Sequence, residues 1–83
     1  MSLLLLFRSL TYAQRGERAL RRFGISVSLI RAPQETTDRG CAYALNIRER
    51  DLLRAEEAFR SAGVHSERMF RRAGSGEWEE LAL

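Results

Sequence analysis

The sequence predicts a small α+β domain made of two copies of one unit. When the 83-residue chain is shifted by 39 positions, five residues between positions 15 and 24 coincide with identical residues of the second half. Each half also carries a short apolar run, a segment with helical periodicity, a glycine and a second run rich in apolar residues. The predicted element order is therefore β-α-β-β-α-β. The coinciding residues are Arg15, Glu17, Ala19, Arg21 and Gly24, which fall on Arg54, Glu56, Ala58, Arg60 and Gly63.

The first half predicts a strand, a helix and a second strand. The apolar run Leu3–Phe7 is typical of a strand that is covered on at least one face. Ser9 and Thr11 are candidate N-caps for a helix over residues 12–23, and Gly24 is the predicted stop of that helix. Apolar residues alternate with serines immediately afterwards, which predicts a strand over residues 25–31.

The second half repeats this order after a polar loop. Residues 32–40 contain the only proline and form the longest predicted loop inside the domain. Cys41–Ile47 is the third predicted strand. A second helix is predicted over residues 50–62, with Gly63 as its stop. Val64–Arg71 has fewer apolar residues and is predicted as a fourth, weaker strand.

This order of elements is that of the ferredoxin-like plait, a four-stranded antiparallel sheet with two helices on one face. The handedness of β-α-β crossovers places both helices on the same side of the sheet. The apolar positions of the two helices also coincide under the 39-residue shift, as expected for a duplicated unit. We expect one domain over residues 1–72, while residues 73–83 are a tail or an extra strand.

Composition and charge narrow the function classes. All 14 cationic side chains are arginines, and they are interleaved with 11 acidic residues to give a net charge of +3. This balance argues only weakly for a nucleic-acid partner. The apolar start is too short for a membrane span and lacks the features of a signal peptide, so we expect no membrane contact. A single cysteine excludes an internal disulfide and fits a reducing compartment, so we expect a cytoplasmic protein.

Cys41 is the strongest lead to a chemistry. It follows a polar loop in which Gly40 permits close approach of another molecule, and Arg31 and Arg39 are cations that would stabilise its thiolate. On this interpretation the thiol is at least partly exposed, with a pKa below the ~8.5 of a free cysteine. The plainer interpretation is a small buried residue at a strand start. A lone cysteine and a lone histidine make no usual metal site, and no phosphate-binding loop is present, so no cofactor is expected.

Short motifs follow one another in a characteristic order between Phe7 and Phe70. Residues 7–13 fit the pattern F-x-S-x-x-x-A, and a cysteine stands at the head of a strand after a proline-containing loop. In this order and spacing the chain resembles the family of selenium/sulfur carrier-like proteins. The further motifs that carry the resemblance are Gly24-Ile25, Arg31-Ala32-Pro33, Gly40-Cys41, Asp51 and Ala62-Gly63-Val64.

The resemblance implies a carrier that holds sulfur or selenium on Cys41 as a persulfide or selenopersulfide, and not an enzyme in the strict sense. The partner implied is a donor protein of the desulfurase kind. Arg31 and Arg39 would stabilise the thiolate, and Pro33 and Gly40 would fix the ends of the loop. Ala42 departs from the family pattern, which has a glycine after the cysteine, and this bears on how openly the loop presents the thiol.

Two other functions remain open from the sequence. The first is a protein-binding or assembly module without covalent chemistry. The second is RNA binding through the sheet, for which Tyr43 and Phe7 are the candidate stacking residues. We also expect a homodimer or larger assembly, because so short a chain buries little core and its sheet needs cover on the second face. Leu4, Leu6, Tyr43 and Leu45 alternate with their neighbours, so that either parity of these strands leaves apolar side chains on the helix-free face.

Overall fold

The computed structural model describes residues 2–37 and 41–82. Within these residues one antiparallel sheet of five strands packs against two α-helices, which confirms the α+β fold with ferredoxin-like order and adds a strand at the end. The sheet order is β2-β3-β1-β4-β5. The strands are β1 (Ser2–Phe7), β2 (Ser28–Arg31), β3 (Tyr43–Arg48), β4 (Arg68–Arg72) and β5 (Trp78–Leu81), and the helices are α1 (Leu10–Arg22) and α2 (Leu52–Ala62).

Strand β1 is the centre of the sheet and is buried on both faces. It pairs with β3 on one side and with β4 on the other, so that Leu5 lies opposite Leu45 and Met69. All five residues of Leu3–Phe7 are buried. The continuous apolar run, which predicted cover on at least one face, therefore reflects cover on two.

The main core lies between the sheet and the two helices. Ala13 and Leu20 of α1 and Phe59 of α2 belong to one buried cluster with the β1 residues of that face. The rings of Phe7 and Phe59 meet edge to face with their centroids 6.1 Å apart. Gly16 lets α1 approach closely, because a Cβ at this position would stand 2.9 Å from Cδ1 of Leu45.

The two helices end in the same way, 39 residues apart. Gly24 and Gly63 adopt positive φ angles of 73° and 68°, as glycine readily does. In the first copy the Ile25 amide donates to the Leu20 carbonyl, and in the second the Val64 amide donates to the Phe59 carbonyl. Both are Schellman terminations, so the predicted glycine stops are confirmed.

Helix α1 and strand β2 begin at residues other than those predicted from the sequence. Helix α1 begins at Leu10, because the Ser9 hydroxyl accepts a hydrogen bond from the Tyr12 amide and caps it. Strand β2 begins at Ser28 and not at residue 25. Ile25 and Val27 are buried in the main core without joining the sheet, so their apolar alternation records burial alone.

The helix-free face of the sheet carries a second, smaller core. Leu4 and Leu6 point to this face and are 1% and 0% exposed within a single chain. They pack with Cys41, Ala44 and Phe70. An oligomer was expected because apolar side chains on this face would need cover from a second chain. Leu4 and Leu6 are already buried within one chain, so they give no support to that expectation.

The other two residues of that argument lie on the opposite face. Leu45 belongs to the main core, and Tyr43 packs against it from the helix side. The homo-oligomer remains a proposal without support from these four residues.

Among the described residues, no helix is both long enough and apolar enough to cross a membrane.

Strand β5 follows a tight turn after β4. The Ala73 amide donates to the Glu77 carbonyl, and Gly76 takes a positive φ of 91° inside the turn. β5 then pairs with β4, so that Phe70 lies opposite Glu80 and Arg71 lies opposite Glu79. The two glutamates therefore point to opposite faces of the sheet.

The core assignment predicts a large loss of stability for Phe59→Ala. Removing this ring leaves a cavity beneath α2 and abolishes the contact with Phe7, so we expect the free energy of unfolding to fall by about 3–5 kcal/mol. Leu53→Ala is the matched control on the same helix, because Leu53 is 79% exposed. Urea unfolding followed by circular dichroism measures both variants. A loss below about 1 kcal/mol for Phe59→Ala would contradict its place in the core.

Candidate functional site

The connection between β2 and β3 is a compact loop with closely spaced ends. The Ala32 amide donates to the Ala42 carbonyl at 3.0 Å, which extends the β2–β3 ladder by one step. The chain leaves the sheet at Pro33 and returns at Cys41.

The first part of this loop is a turn of 3₁₀ helix over Gln34–Thr36. Pro33 precedes it with φ −57°, a value to which its ring is already restricted. The Pro33 carbonyl accepts hydrogen bonds from both the amide and the hydroxyl of Thr36, at 2.9 and 2.7 Å. Thr36 is fully buried with its hydroxyl satisfied, so the turn is fixed by contacts of its own.

This turn lies across the helix-free face of the sheet. Arg68, which points to that face from β4, donates from Nη1 to the Thr36 carbonyl at 3.4 Å. β4 is separated from β3 by the central strand β1, so the loop reaches over β1. This placement explains how Leu6 is buried on a face that carries no helix.

Cys41 lies where the loop rejoins the sheet, and it is buried. Its side chain is 1% exposed and packs with Leu4, Leu6 and Phe70. Cys41 also lines an open cleft on the surface, so the thiol lies only just beneath it. The other residues that line this cleft are Arg31, Ala32, Gln34, Thr37 and Ala42.

Burial raises the pKa of the Cys41 thiol above its ordinary value, and the nearby Glu67 carboxylate raises it further. Arg8 and Arg68 oppose this through their charges, and Arg8 also as a hydrogen-bond donor, but they do not outweigh desolvation. The expectation of a partly exposed thiol with a lowered pKa is therefore wrong for this conformation. The physical reason is the loop, which packs over the sheet and removes water from the sulfur.

Among the described residues, the cations that act on the thiol are Arg8 and Arg68, and the predicted Arg31 is not one of them. Arg31 lines the cleft, but its guanidinium carbon stands 5.8 Å from the centroid of the Tyr43 ring, and the charges that shift the thiol's pKa are those of Arg8, Arg68 and Glu67. Of the four supporting residues proposed, Arg39 and Gly40 lie outside the described residues.

Sequence reasoning missed Arg8 and Arg68. Arg8 follows β1 directly, and β1 pairs with β3 so that Phe7 lies opposite Tyr43. Two residues further along this antiparallel register, the chain that follows β1 lies alongside Cys41. Knowledge of the β1–β3 pairing would therefore have predicted that Arg8 lies near the thiol. Arg8 also forms a salt bridge with Glu67, in which Nε lies 3.4 Å from Oε1. The cation and the anion that act on the thiol are therefore paired with each other.

The alternative sites considered from sequence are not assembled. His65 is exposed and lines a groove on the helix side with Phe59 and Met69, whereas Cys41 packs on the other face. Phe7 lies in the main core and Tyr43 packs against it, so neither is available for stacking on the helix-free face. Across residues 2–37 and 41–82, no group of histidine, cysteine or acidic side chains is arranged to hold a metal.

The comparisons with known proteins agree with the resemblance seen in the motifs. The family model described as "Putative Se/S carrier protein-like" matches residues 2–71. Neither a curated protein nor a solved structure matches the chain. The matched region begins with β1, includes Cys41 and ends within β4, before β5. This match spans most of the sequence, and the chain therefore belongs to the selenium/sulfur carrier-like family.

Proposed function

We propose that the protein carries a sulfur or selenium atom on Cys41. The observation that supports this most directly is the position of the chain's single cysteine. In a family named for carrying these elements, Cys41 lies at the end of a loop, lines a surface cleft and is acted on by the charges of Arg8 and Arg68. A carrier needs one nucleophilic sulfur within reach of a donor, and no second cysteine is present to resolve the product as a disulfide.

The loading step is a thiol–persulfide exchange. The Cys41 thiolate attacks the terminal sulfur of a persulfide on the donor protein, a bond forms between Sγ and that sulfur, and the donor's S–S bond breaks. The donor cysteine leaves as a thiolate, and the proton that Cys41 loses passes to it or to water. No external oxidant is needed, because the transferred sulfur keeps its oxidation state. A selenium atom is transferred by the same exchange.

The surroundings of Cys41 keep the empty site in its neutral form. A buried thiol with a raised pKa stays neutral and unreactive at neutral pH, which protects it from oxidation. A persulfide is a stronger acid than the parent thiol, so the loaded group ionises more readily than the thiol in the same surroundings. The charges of Arg8 and Arg68 reduce the cost of an anion at this position. Loading requires the buried thiol to become accessible at the cleft that it lines with Gln34 and Thr37.

A binding or assembly module is the second candidate, and the burial of Cys41 is the observation that favours it. On this hypothesis the cysteine is a small apolar member of the second core and has no chemistry. Substitution of Cys41 would then cost some stability and leave partner binding intact. The loading experiment separates the two functions.

The carrier hypothesis predicts that Cys41 accepts sulfur from a persulfide donor. Incubation with a cysteine desulfurase and cysteine should increase the intact mass by one sulfur atom, and a reducing thiol should remove the increment. Cys41→Ser should abolish the gain while the circular dichroism spectrum stays unchanged. An unmodified wild-type mass, under conditions in which the desulfurase is itself loaded, would favour the binding module.

The raised pKa predicts that the protein loses stability in mild alkali. In the unfolded chain the thiol ionises near pH ~8.5, whereas in the folded chain it stays protonated to higher pH. The contribution of the neutral thiol to stability is therefore complete below pH ~8.5 and decreases as the pH rises towards the folded-state pKa. The difference in free energy of unfolding between wild type and Cys41→Ala should shrink over this range. A difference that is constant with pH would show that burial does not shift the pKa.

Arg8 should lower the pKa of the thiol within the folded protein. Arg8→Gln removes both its charge and its hydrogen bond and leaves the Glu67 carboxylate unopposed, so the pH midpoint of Cys41 alkylation should move upward. Arg18→Gln is the matched control, because it changes the net charge equally at an exposed position on α1. Equal midpoints for the two variants would remove Arg8 from the site.

A further inference from the structure

Strand β5 lies outside the region that the family model matches, yet it packs against the site. The match ends at residue 71, and β5 spans Trp78–Leu81. Trp78 packs against the second core, the cluster that contains Cys41. Glu80 points to the same face of the sheet, since it pairs opposite Phe70, a member of that core. The strand therefore adds two side chains to the surroundings of the thiol.

Arg68 connects β5 to the segment Pro33–Thr37, whose Gln34 and Thr37 line the cleft that Cys41 also lines. Its Nε and Nη2 atoms donate to the two carboxylate oxygens of Glu80 at 2.9 and 2.7 Å, a bidentate pair. Its Nη1 atom donates to the Thr36 carbonyl at 3.4 Å, and its guanidinium carbon lies 4.9 Å from the centroid of the Phe70 ring. The Arg68 side chain is only 15% exposed.

These contacts give each group a different role. Glu80 fixes the plane and direction of the guanidinium, because a bidentate carboxylate leaves it little rotational freedom. The fixed guanidinium then presents one N–H to the loop carbonyl. Thr36 and Arg68 are 32 residues apart in sequence, so this hydrogen bond is a tertiary contact of the loop that its own turn does not supply.

We propose that Arg68 and Glu80 are positioning residues that hold the segment Pro33–Thr37 over Cys41, so that β5 sets how often the thiol becomes accessible. The biological meaning of this gate rests on the proposed function, since a carrier must open to be loaded. The gate itself is a property of the fold and is measured without any sulfur donor. A donor protein that displaces β5 or engages Glu80 would then open the site.

The test compares Glu80→Gln with Glu79→Gln in the full chain. The two residues are neighbours on β5 and both pair with an arginine of β4, but Glu79 pairs with Arg71 on the helix side, away from Cys41. Because Cys41 is the single cysteine, the rate of alkylation by iodoacetamide reports on this thiol alone. We expect Glu80→Gln to increase the rate about three- to tenfold, as for local opening that loses a charge-assisted contact. Glu79→Gln should leave the rate within about twofold of wild type.

The pH profile distinguishes a gate from a change in charge. If Glu80 acts by holding the loop, its substitution raises the rate at every pH, including the plateau at which the thiol is fully ionised. If it acts only by redirecting the charge of Arg68, the pH midpoint moves and the plateau stays the same, which would overturn the proposal. An unchanged profile would overturn it as well. In both cases persulfide loading is measured independently. The gate can therefore be refuted while the carrier function stands, and the reverse is also true.

A second measurement keeps the proposal testable if Glu80→Gln weakens the whole fold. Amide hydrogen exchange at Thr36, whose N–H donates to the Pro33 carbonyl, reports on opening of the turn itself. It should accelerate in Glu80→Gln relative to the core amides of β1. Arg68→Lys keeps the charge but loses the two N–H groups that bind the Glu80 carboxylate, so this substitution should also accelerate exchange at Thr36. Exchange that rises equally at Thr36 and in β1 would indicate global destabilisation and contradict the gate.

Discussion

The structure depends on the double-sided burial of one strand. β1 is apolar at every position from Leu3 to Phe7, so both faces of the central strand must be kept from water. Two helices cover one face. Among the described residues no α-helix covers the other face, and the 3₁₀ turn Gln34–Thr36 lies on it together with side chains from β4 and β5. The position of the only thiol follows from this arrangement, because Cys41 is part of that second cover.

This arrangement creates a conflict between stability and reactivity at one residue. Packing the thiol against Leu4 and Leu6 contributes to the core but removes the water that a thiolate needs. The nearby arginines reduce this penalty without cancelling it. A thiol of this kind is unreactive while it is buried. The arginines stabilise a group at this position most strongly when that group is an anion. Burial and carrier chemistry are compatible if the closed state is the resting state.

The sequence was sufficient for those features that depend on local pattern. Gly24 and Gly63 terminate the helices as predicted, because a left-handed cap is a requirement of a few adjacent residues. The burial of Cys41 could not be predicted in this way. It depends on packing against Leu4 and Leu6 of β1 and Phe70 of β4, which are far from Cys41 in the chain. The role of Arg8 required the register of β1 against β3, which periodicity does not specify.

The reach of the loop over β1 also imposes an order on folding. The loop can pack in its final place only after β4 has paired with β1, because Arg68 supplies its tertiary contact, and that contact is firm only after β5 has added Glu80. Contacts this distant in sequence form late, after local turns and helices. During synthesis the thiol is therefore made well before the strands that hold its cover. Until β1 and β4 have paired, Cys41 lacks the contacts with Leu4, Leu6 and Phe70 that bury it.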